Sequence, residues 1–337
     1  MEQPDISLAR LKRGITRMQK AKILVVGDLM LDKFVRGTVS RISQEAPIPV
    51  VHVTDEHSFA GGSANVARNL SDFGIECGVC GVMGKDEVGQ ELIGLLKRQN
   101  ISTKGLFVEG RFSTIVKTRI IARQQQVVRV DYEKPIRLST SQFDRMARFL
   151  AAEIPNYDAV IIEDYGKGTI TQAVFDEVAE ICKKNDKIIT VDPNPRNVLS
   201  FHDVTAVKPN RLEAFQAARR EDVGGLDAVR DAGFYLLDRW VTDQILITLG
   251  EQGMMLFIKG ETEPYHTPTR AKEVYDVSGA GDTSIAFYTA ALVANFNPAE
   301  AAEIANHAAG IVVGKSGTAT VSPDELLRSF DELGDIL

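Results

Sequence analysis

Short apolar runs rich in β-branched residues recur along the chain at 22–27, 159–163, 187–192 and 244–250, each closing on a glycine or an acidic residue. Runs this short with no polar alternation suit strands buried on both faces, as in parallel sheets. Amphipathic stretches at 141–154, 171–184 and 227–239 stand between or beside them. Strand and helix in turn give the βαβ pattern. The expected fold class is therefore α/β, a doubly wound, mainly parallel sheet with helices on both faces. Ligands of such sheets gather beyond the carboxyl ends of the strands, where Asp164, Asp192 and the Gly250 turn stand.

Two regions break the alternation. Residues 32–54 and 112–132 read as hairpin or edge strands, either a small β lid over the active end or an extra hairpin at the sheet edge. The tail after Pro323 reads as a final helix, and there is no internal repeat. At 337 residues the chain can form one domain spanning 1–337 with its own core. Thirty-nine basic against 46 acidic residues give a net charge of −7, which argues against nucleic acid or an anionic membrane as main partner. No apolar run approaches the roughly 20 residues of a membrane span, and the charged N-terminus lacks a signal-peptide core, so a cytoplasmic location is expected. Cys77 and Cys80 lie three apart in an expected strand, on opposite faces, and read as buried thiols rather than metal ligands. The five histidines form no ligand-spaced pair.

The chemistry concentrates at Asp276-Val-Ser-Gly-Ala-Gly-Asp282-Thr283, which opens into an apolar run. Gly279 and Gly281 around Ala280 permit a tight turn, and the amides of Gly279, Ala280 and Gly281 at a following helix start would cradle an anion. Asp282, in the first helical turn, could accept a hydroxyl proton beside a transferring phosphate, or serve only as an acidic helix cap. After the first strand, Asp28 and Asp32 offer carboxylates suited to sugar hydroxyls, with Asp32 alternatively a turn residue. Gly27-Asp28-Leu29-Met30 lacks the glycine series of a dinucleotide site. Asn210 and Glu213 stand three apart at a helix start, as a functional pair or as a capping box.

The segment Ala60-Gly61-Gly62-Ser63-Ala64-Asn65-Val66-Ala67, about two hundred residues before Gly279-Ala280-Gly281-Asp282, completes a resemblance to the ribokinase-like (PfkB) sugar kinases over nearly the whole chain. Phe287 is one departure, where many members have Ala or Gly. The resemblance implies ATP as phosphoryl donor, Mg²⁺ organised through water by Asn210 and Glu213, and Asp282 as base. It places the sugar near Asp28, Gly61, Gly62 and Asn65. Asp192 and Asn194, in Asp-Pro-Asn-Pro-Arg, would face the phosphate channel, with Arg196 a candidate for charge compensation. Thr248, Gly250 and Gly253 would pass beneath ATP, with residues 305–310 walling the base. A monovalent cation, K⁺ above all, would sit near Asp276, Ser278 and the carbonyls around Gly314 and Gly317. A homodimer through the lid is also implied.

Residues 27–50 and Glu163-Asp-Tyr-Gly-Lys-Gly168 narrow the resemblance to the heptose-7-phosphate kinases of lipopolysaccharide-core synthesis. These phosphorylate the C1 hydroxyl of D-glycero-D-manno-heptose 7-phosphate. Some relatives carry a fused nucleotidyltransferase domain; this chain is expected to be the stand-alone kinase, served by a separate adenylyltransferase. The 7-phosphate asks for cations, and Lys33, Arg36, Arg41, Lys117, Arg119 and Lys167 are the candidates, Arg119 and Lys167 foremost. Alternatives are a kinase of the same family acting on ribose, a fructose phosphate or a nucleoside, and a silent sugar or nucleotide sensor.

Overall fold

The computed structural model describes residues 4, 6–123, 125–315 and 317–334. Gln124, within the expected 112–132 strand region, Ser316 and the two chain ends lie outside them. Thirteen strands are described, in two sheets. They are β1 Lys22–Gly27, β2 Leu29–Ile42, β3 Pro49–Gly62, β4 Glu76–Gly84, β5 Ser102–Glu109, β6 Ile115–Ala122, β7 Gln125–Tyr132, β8 Ala159–Glu163, β9 Ile188–Asp192, β10 Val204–Val207, β11 Thr242–Thr248, β12 Met254–Ile258 and β13 Tyr265–Thr267. The large sheet runs β13-β12-β11-β10-β9-β8-β1-β4-β5, parallel from β11 to β5, with β12 and β13 antiparallel at one edge.

The ten α-helices are α1 Leu8–Met18, α2 Ser63–Asp72, α3 Glu87–Arg98, α4 Thr140–Glu153, α5 Gln172–Lys184, α6 Arg211–Ala218, α7 Gly225–Arg239, α8 Ala280–Val293, α9 Pro298–Val313 and α10 Pro323–Gly334, counted among the described residues. Buried residues of α1, α2, α8 and α9 form one core with one face of the sheet, and those of α4 to α7 form a second core on the other. Cys77 belongs to the first core and Cys80 to the second, as an odd offset on a strand requires. Helix α8 is buried along most of its length, so it reads as a continuous apolar run rather than an amphipathic one. Phe287 is accommodated edge-to-face against Phe73, ring centroids 4.8 Å apart, where α8 meets α2. Truncating such a buried ring to Ala costs about 3–5 kcal/mol.

The small sheet, in the order β3-β2-β6-β7, is fed by two excursions from the large one. Strand β2 leaves β1 across the single residue Asp28, and β3 returns directly into α2. The hairpin thus covers 29–62, longer than the 32–54 region its sequence suggested, because its apolar inner residues continue into the core at both ends.

Candidate active site

Four strands deliver their carboxyl ends to one place: β8 ends on Glu163, β9 on Asp192, β10 runs on to Lys208, and β11 ends on Thr248. The N-terminus of α8 joins them. Gly279 takes φ 83°, a left-handed conformation natural to glycine, and so turns the chain into the helix. The Ala280 amide is engaged by the Val277 carbonyl at 3.3 Å, which removes it from the expected cradle. Among the described residues the Gly281 and Asp282 amides have no such partner and remain available to an anion.

Asp282 is held by two donors, Asn65 Nδ2 to Oδ2 at 2.6 Å and the Tyr165 hydroxyl to Oδ1 at 2.7 Å. Burial pushes its carboxyl up to about 6, while those two hydrogen bonds restrain the rise. A carboxylate so poised is mostly ionised at neutral pH yet basic enough to take a proton. Removing the Tyr165 hydroxyl withdraws a donor that favours the ionised form. Tyr165→Phe is expected to shift the acid limb of a kcat/KM profile upward from about 6. A lowered rate with an unmoved limb would show that the hydroxyl does not tune Asp282.

Glu163, Asp192 and Asp282 bring carboxylate oxygens within 4.8 Å of one another. Lys208 Nζ lies 2.8 Å from Asp192, and the lysine is 3% exposed. Burial pulls Lys208 down, but Asp192, then Glu163 and Glu213, outweigh it and keep the ammonium charged. Burial, then Asp192 and Asp282, raises Glu163 well above the ordinary glutamate value. Its Oε2 has no partner among the described residues. The cation expected from Arg196 is thus supplied by Lys208, while Arg196 lines a separate cavity with Arg137 and Gln172.

Two cavities meet at this point. One, about 640 Å³, is walled by Gly250, Gly253, Val274, Asn306, Gly310 and Val313. The other, about 600 Å³, contains Asp192, Asn194, Lys208, Asn210, Glu213 and Asp282. Thr248, Gly250, Val277 and Gly281 line both. Gly253 is confined to glycine, since a Cβ there would stand 2.0 Å from the Thr267 carbonyl oxygen at φ 84°.

Asn210 and Glu213 form a capping box on α6, each backbone amide donating to the other's side chain, at 2.8 and 2.9 Å. They nevertheless face the shared cavity. Asp276 accepts amides from Ser278 at 2.9 Å and Gly317 at 3.2 Å, so those three expected residues do converge. Asp164 is tied down by Gly166 N and Asn197 Nδ2, each at 2.7 Å.

Asp28 departs from the sugar-binding expectation. It is fully buried, and its oxygens accept the amides of Tyr165, Lys167 and Thr169 at 2.9–3.0 Å, so it anchors the 165–169 loop instead. Asp32 is ion-paired to Arg119 and packs so closely on Gly61 that a Cβ there would lie 2.3 Å from its Oδ2. Gly62, at φ 60°, makes the turn into α2. Lys167, expected to be available to a phosphate, is paired with Glu133 at 2.6 Å. Lys208, Glu163 and Tyr165 received no role from sequence reasoning. A lysine directly after a buried strand was a usable signal for Lys208; Tyr165 acquires its contact only through the loop that Asp28 anchors.

Likeness to other proteins fits this geometry. "Bifunctional protein HldE" of Desulfatibacillum aliphaticivorans is 42% identical over 318 residues, 94% of this chain and 65% of that protein. The HldE of Aliarcobacter butzleri is 40% identical over 308 residues, 91% of this chain and 64% of that one. The chain therefore spans just under two thirds of the length of these relatives. Arabidopsis thaliana ribokinase complexed with ribose and ATP superposes with a TM-score of 0.69 at 18% identity, covering 92% of this chain and 98% of that one. Escherichia coli phosphofructokinase-2 in complex with potassium gives 0.74 at 17%, covering 93% and 99%. These two establish a ribokinase-like α/β fold. No helix among the described residues is long and apolar enough to cross a membrane. Residues 20–325, which include the α8 turn, the carboxylate cluster and both cavities, match the pfkB family carbohydrate kinases, and the chain belongs to that family.

Proposed function

We propose that the chain transfers the γ-phosphoryl group of ATP to the C1 hydroxyl of D-glycero-D-manno-heptose 7-phosphate, forming the 1,7-bisphosphate. The observation that carries the reading is Asp282, raised to about 6 and held by Asn65 and Tyr165 where two cavities meet the start of α8. The HldE relatives and the 27–50 and 163–168 segments support the heptose.

ATP occupies the cavity walled by Gly250, Gly253 and Gly310, with its phosphates reaching Thr248 and Gly281. The sugar lies beneath the small sheet near Asp32, Gly61, Gly62 and Asn65. Asn65 Oδ1 is buried without a partner among the described residues, a demand that a sugar hydroxyl donor satisfies. Asp282 takes the hydroxyl proton as that oxygen attacks the phosphorus in line, and the Gly281 and Asp282 amides stabilise the equatorial oxygens. Lys208 balances charge on the transferring group. Glu213, Asp192 and Asn210 suit the water-rich oxygen sphere of Mg²⁺, which when bound neutralises phosphate charge. Asp276 with the carbonyls around Gly317 suits K⁺. The chain acts as one kinase domain in the cytoplasm, a homodimer joined through the small sheet as lid, and its product passes to an adenylyltransferase.

The test is ADP formation with Mg²⁺ and K⁺ across heptose 7-phosphate, ribose, fructose 6-phosphate and sedoheptulose 7-phosphate. Selectivity for the heptose phosphate of at least about tenfold in kcat/KM is expected. Preference for another sugar removes the heptose assignment, and no sugar-dependent turnover favours a sensor.

A further inference from the structure

One face of the small sheet gathers charged side chains around Lys117. Strand pairing sets Lys117 beside Asp32 of β2 and Asp131 of β7, with Arg119 two residues on and beside Arg129. Residues two apart on a strand share a face, so Lys117 and Arg119 point the same way. Together with Lys167 this sets four cations, Lys117, Arg119, Arg129 and Lys167, among three carboxylates, Asp32, Asp131 and Glu133; Arg36, on the same face beside Asp55, stands two residues beyond Phe34 and is exposed. Each carboxylate is already taken: Asp32 by Arg119, Asp131 by Arg129 at 2.8 Å, and Glu133 by Lys167 at 2.6 Å. Of these four cations, Lys117 is the one left over. Among the described residues its ammonium has no carboxylate at ion-pair distance and rests over the Tyr165 ring, 5.1 Å from the centroid. The hydroxyl of that same ring reaches Asp282 at 2.7 Å.

We infer that Lys117 reads the anionic end of the substrate, a phosphate monoester carried on the sugar away from the reacting hydroxyl. The inference rests on the sugar-phosphate kinase reading and names the residue that makes it phosphate-specific. One side chain, Tyr165, spans from the base to this cation, so a sugar with its hydroxyl at Asp282 directs its far end toward Lys117. Arg119 and Lys167 are poorer choices, because each would have to abandon an existing partner. Half-buried and crowded, Lys117 is an under-compensated ammonium: burial first, then Lys167 and Arg129, hold its pKa below the ordinary lysine value despite Asp32 and Asp131. An incoming phosphate supplies what is missing.

The experiment pairs D-glycero-D-manno-heptose 7-phosphate with the same heptose lacking the phosphate, in wild type, Lys117→Met and Lys117→Arg. Lys117→Met is expected to raise KM for the phosphorylated sugar about ten- to hundredfold, with KM for ATP and the parameters for the unphosphorylated heptose within about twofold. Lys117→Arg should recover part of the loss. An equal loss on both sugars, or no loss on either, overturns the assignment while leaving the kinase reading intact. Calorimetry covers the remaining case. If wild type turns over neither heptose, the substrate reading falls, and inorganic phosphate titrated into the ADP-saturated protein judges Lys117 alone: binding by wild type but not by Lys117→Met upholds it, and equal binding or none by both overturns it.

Discussion

Asp282→Asn is expected to lower kcat by about two to four orders of magnitude while leaving KM for ATP within a few-fold and the protein at least as stable as wild type. The loss of rate follows from the loss of the proton acceptor, since an amide cannot take the hydroxyl proton. The preserved stability follows from the sign of the shift. The Asp282 carboxyl ordinarily ionises at 3.8 and is raised to about 6 in the folded protein. Between those values the folded state binds more protons than the unfolded one, so stability falls as pH rises through the window. At neutral pH the buried charge therefore costs on the order of 3 kcal/mol, offset by whatever a replacement amide loses in hydrogen bonding. That loss is limited. One oxygen remains to accept from Tyr165, and the new amide has the unpartnered Asn65 Oδ1 within its neighbourhood. Thermal melts at pH 7.5 beside steady-state rates check both halves. Near-normal turnover would remove Asp282 as base, and a clear drop in Tm would mean its hydrogen bonds matter more to the fold than its charge costs.

The strands of the large sheet were readable because burial on both faces leaves an unbroken apolar run, as at β1, β8 and β11. Short edge strands such as β12 and β13 carry too few residues for a period to emerge. The α8 turn and Asn65 were legible because their glycine spacing and their place in the family pattern are local properties. What was not legible depends on partners distant in sequence. Asp28 and Asp32 are both acids just past a strand, and no local property separates the one sealed under three loop amides from the one paired with Arg119. Likewise Arg119, Lys167 and Lys117 are equivalent as basic residues; only the pairing of β2, β6 and β7 reveals which carboxylates are already taken.

Lys208→Met is expected to cost about 3–5 kcal/mol at neutral pH and to abolish most turnover. The ammonium is buried 2.8 Å from Asp192, and Glu163 and Asp282 bring oxygens to the same place. Removing the one cation leaves Asp192 and Asp282 without the charge that lowers their pKa values. Both must then rise further, and a carboxyl raised in the folded state loses stability as pH climbs through its new value. The variant should therefore be most destabilised above pH 7 and recover as the pH is lowered and the cluster takes up protons. A simple cavity or packing defect has no reason to heal with acid. The double variant Lys208→Met, Asp192→Asn sharpens the test, because it removes the orphaned charge along with the lysine. Its stability at pH 7.5 should return most of the way to wild type while activity stays lost, since nothing then balances the transferring phosphoryl group. Urea midpoints of the single and double variants at pH 5.5 and 7.5 measure this coupling. Equal destabilisation at both pH values, or no recovery in the double variant, would mean that Lys208 supports the site by its shape rather than by its charge.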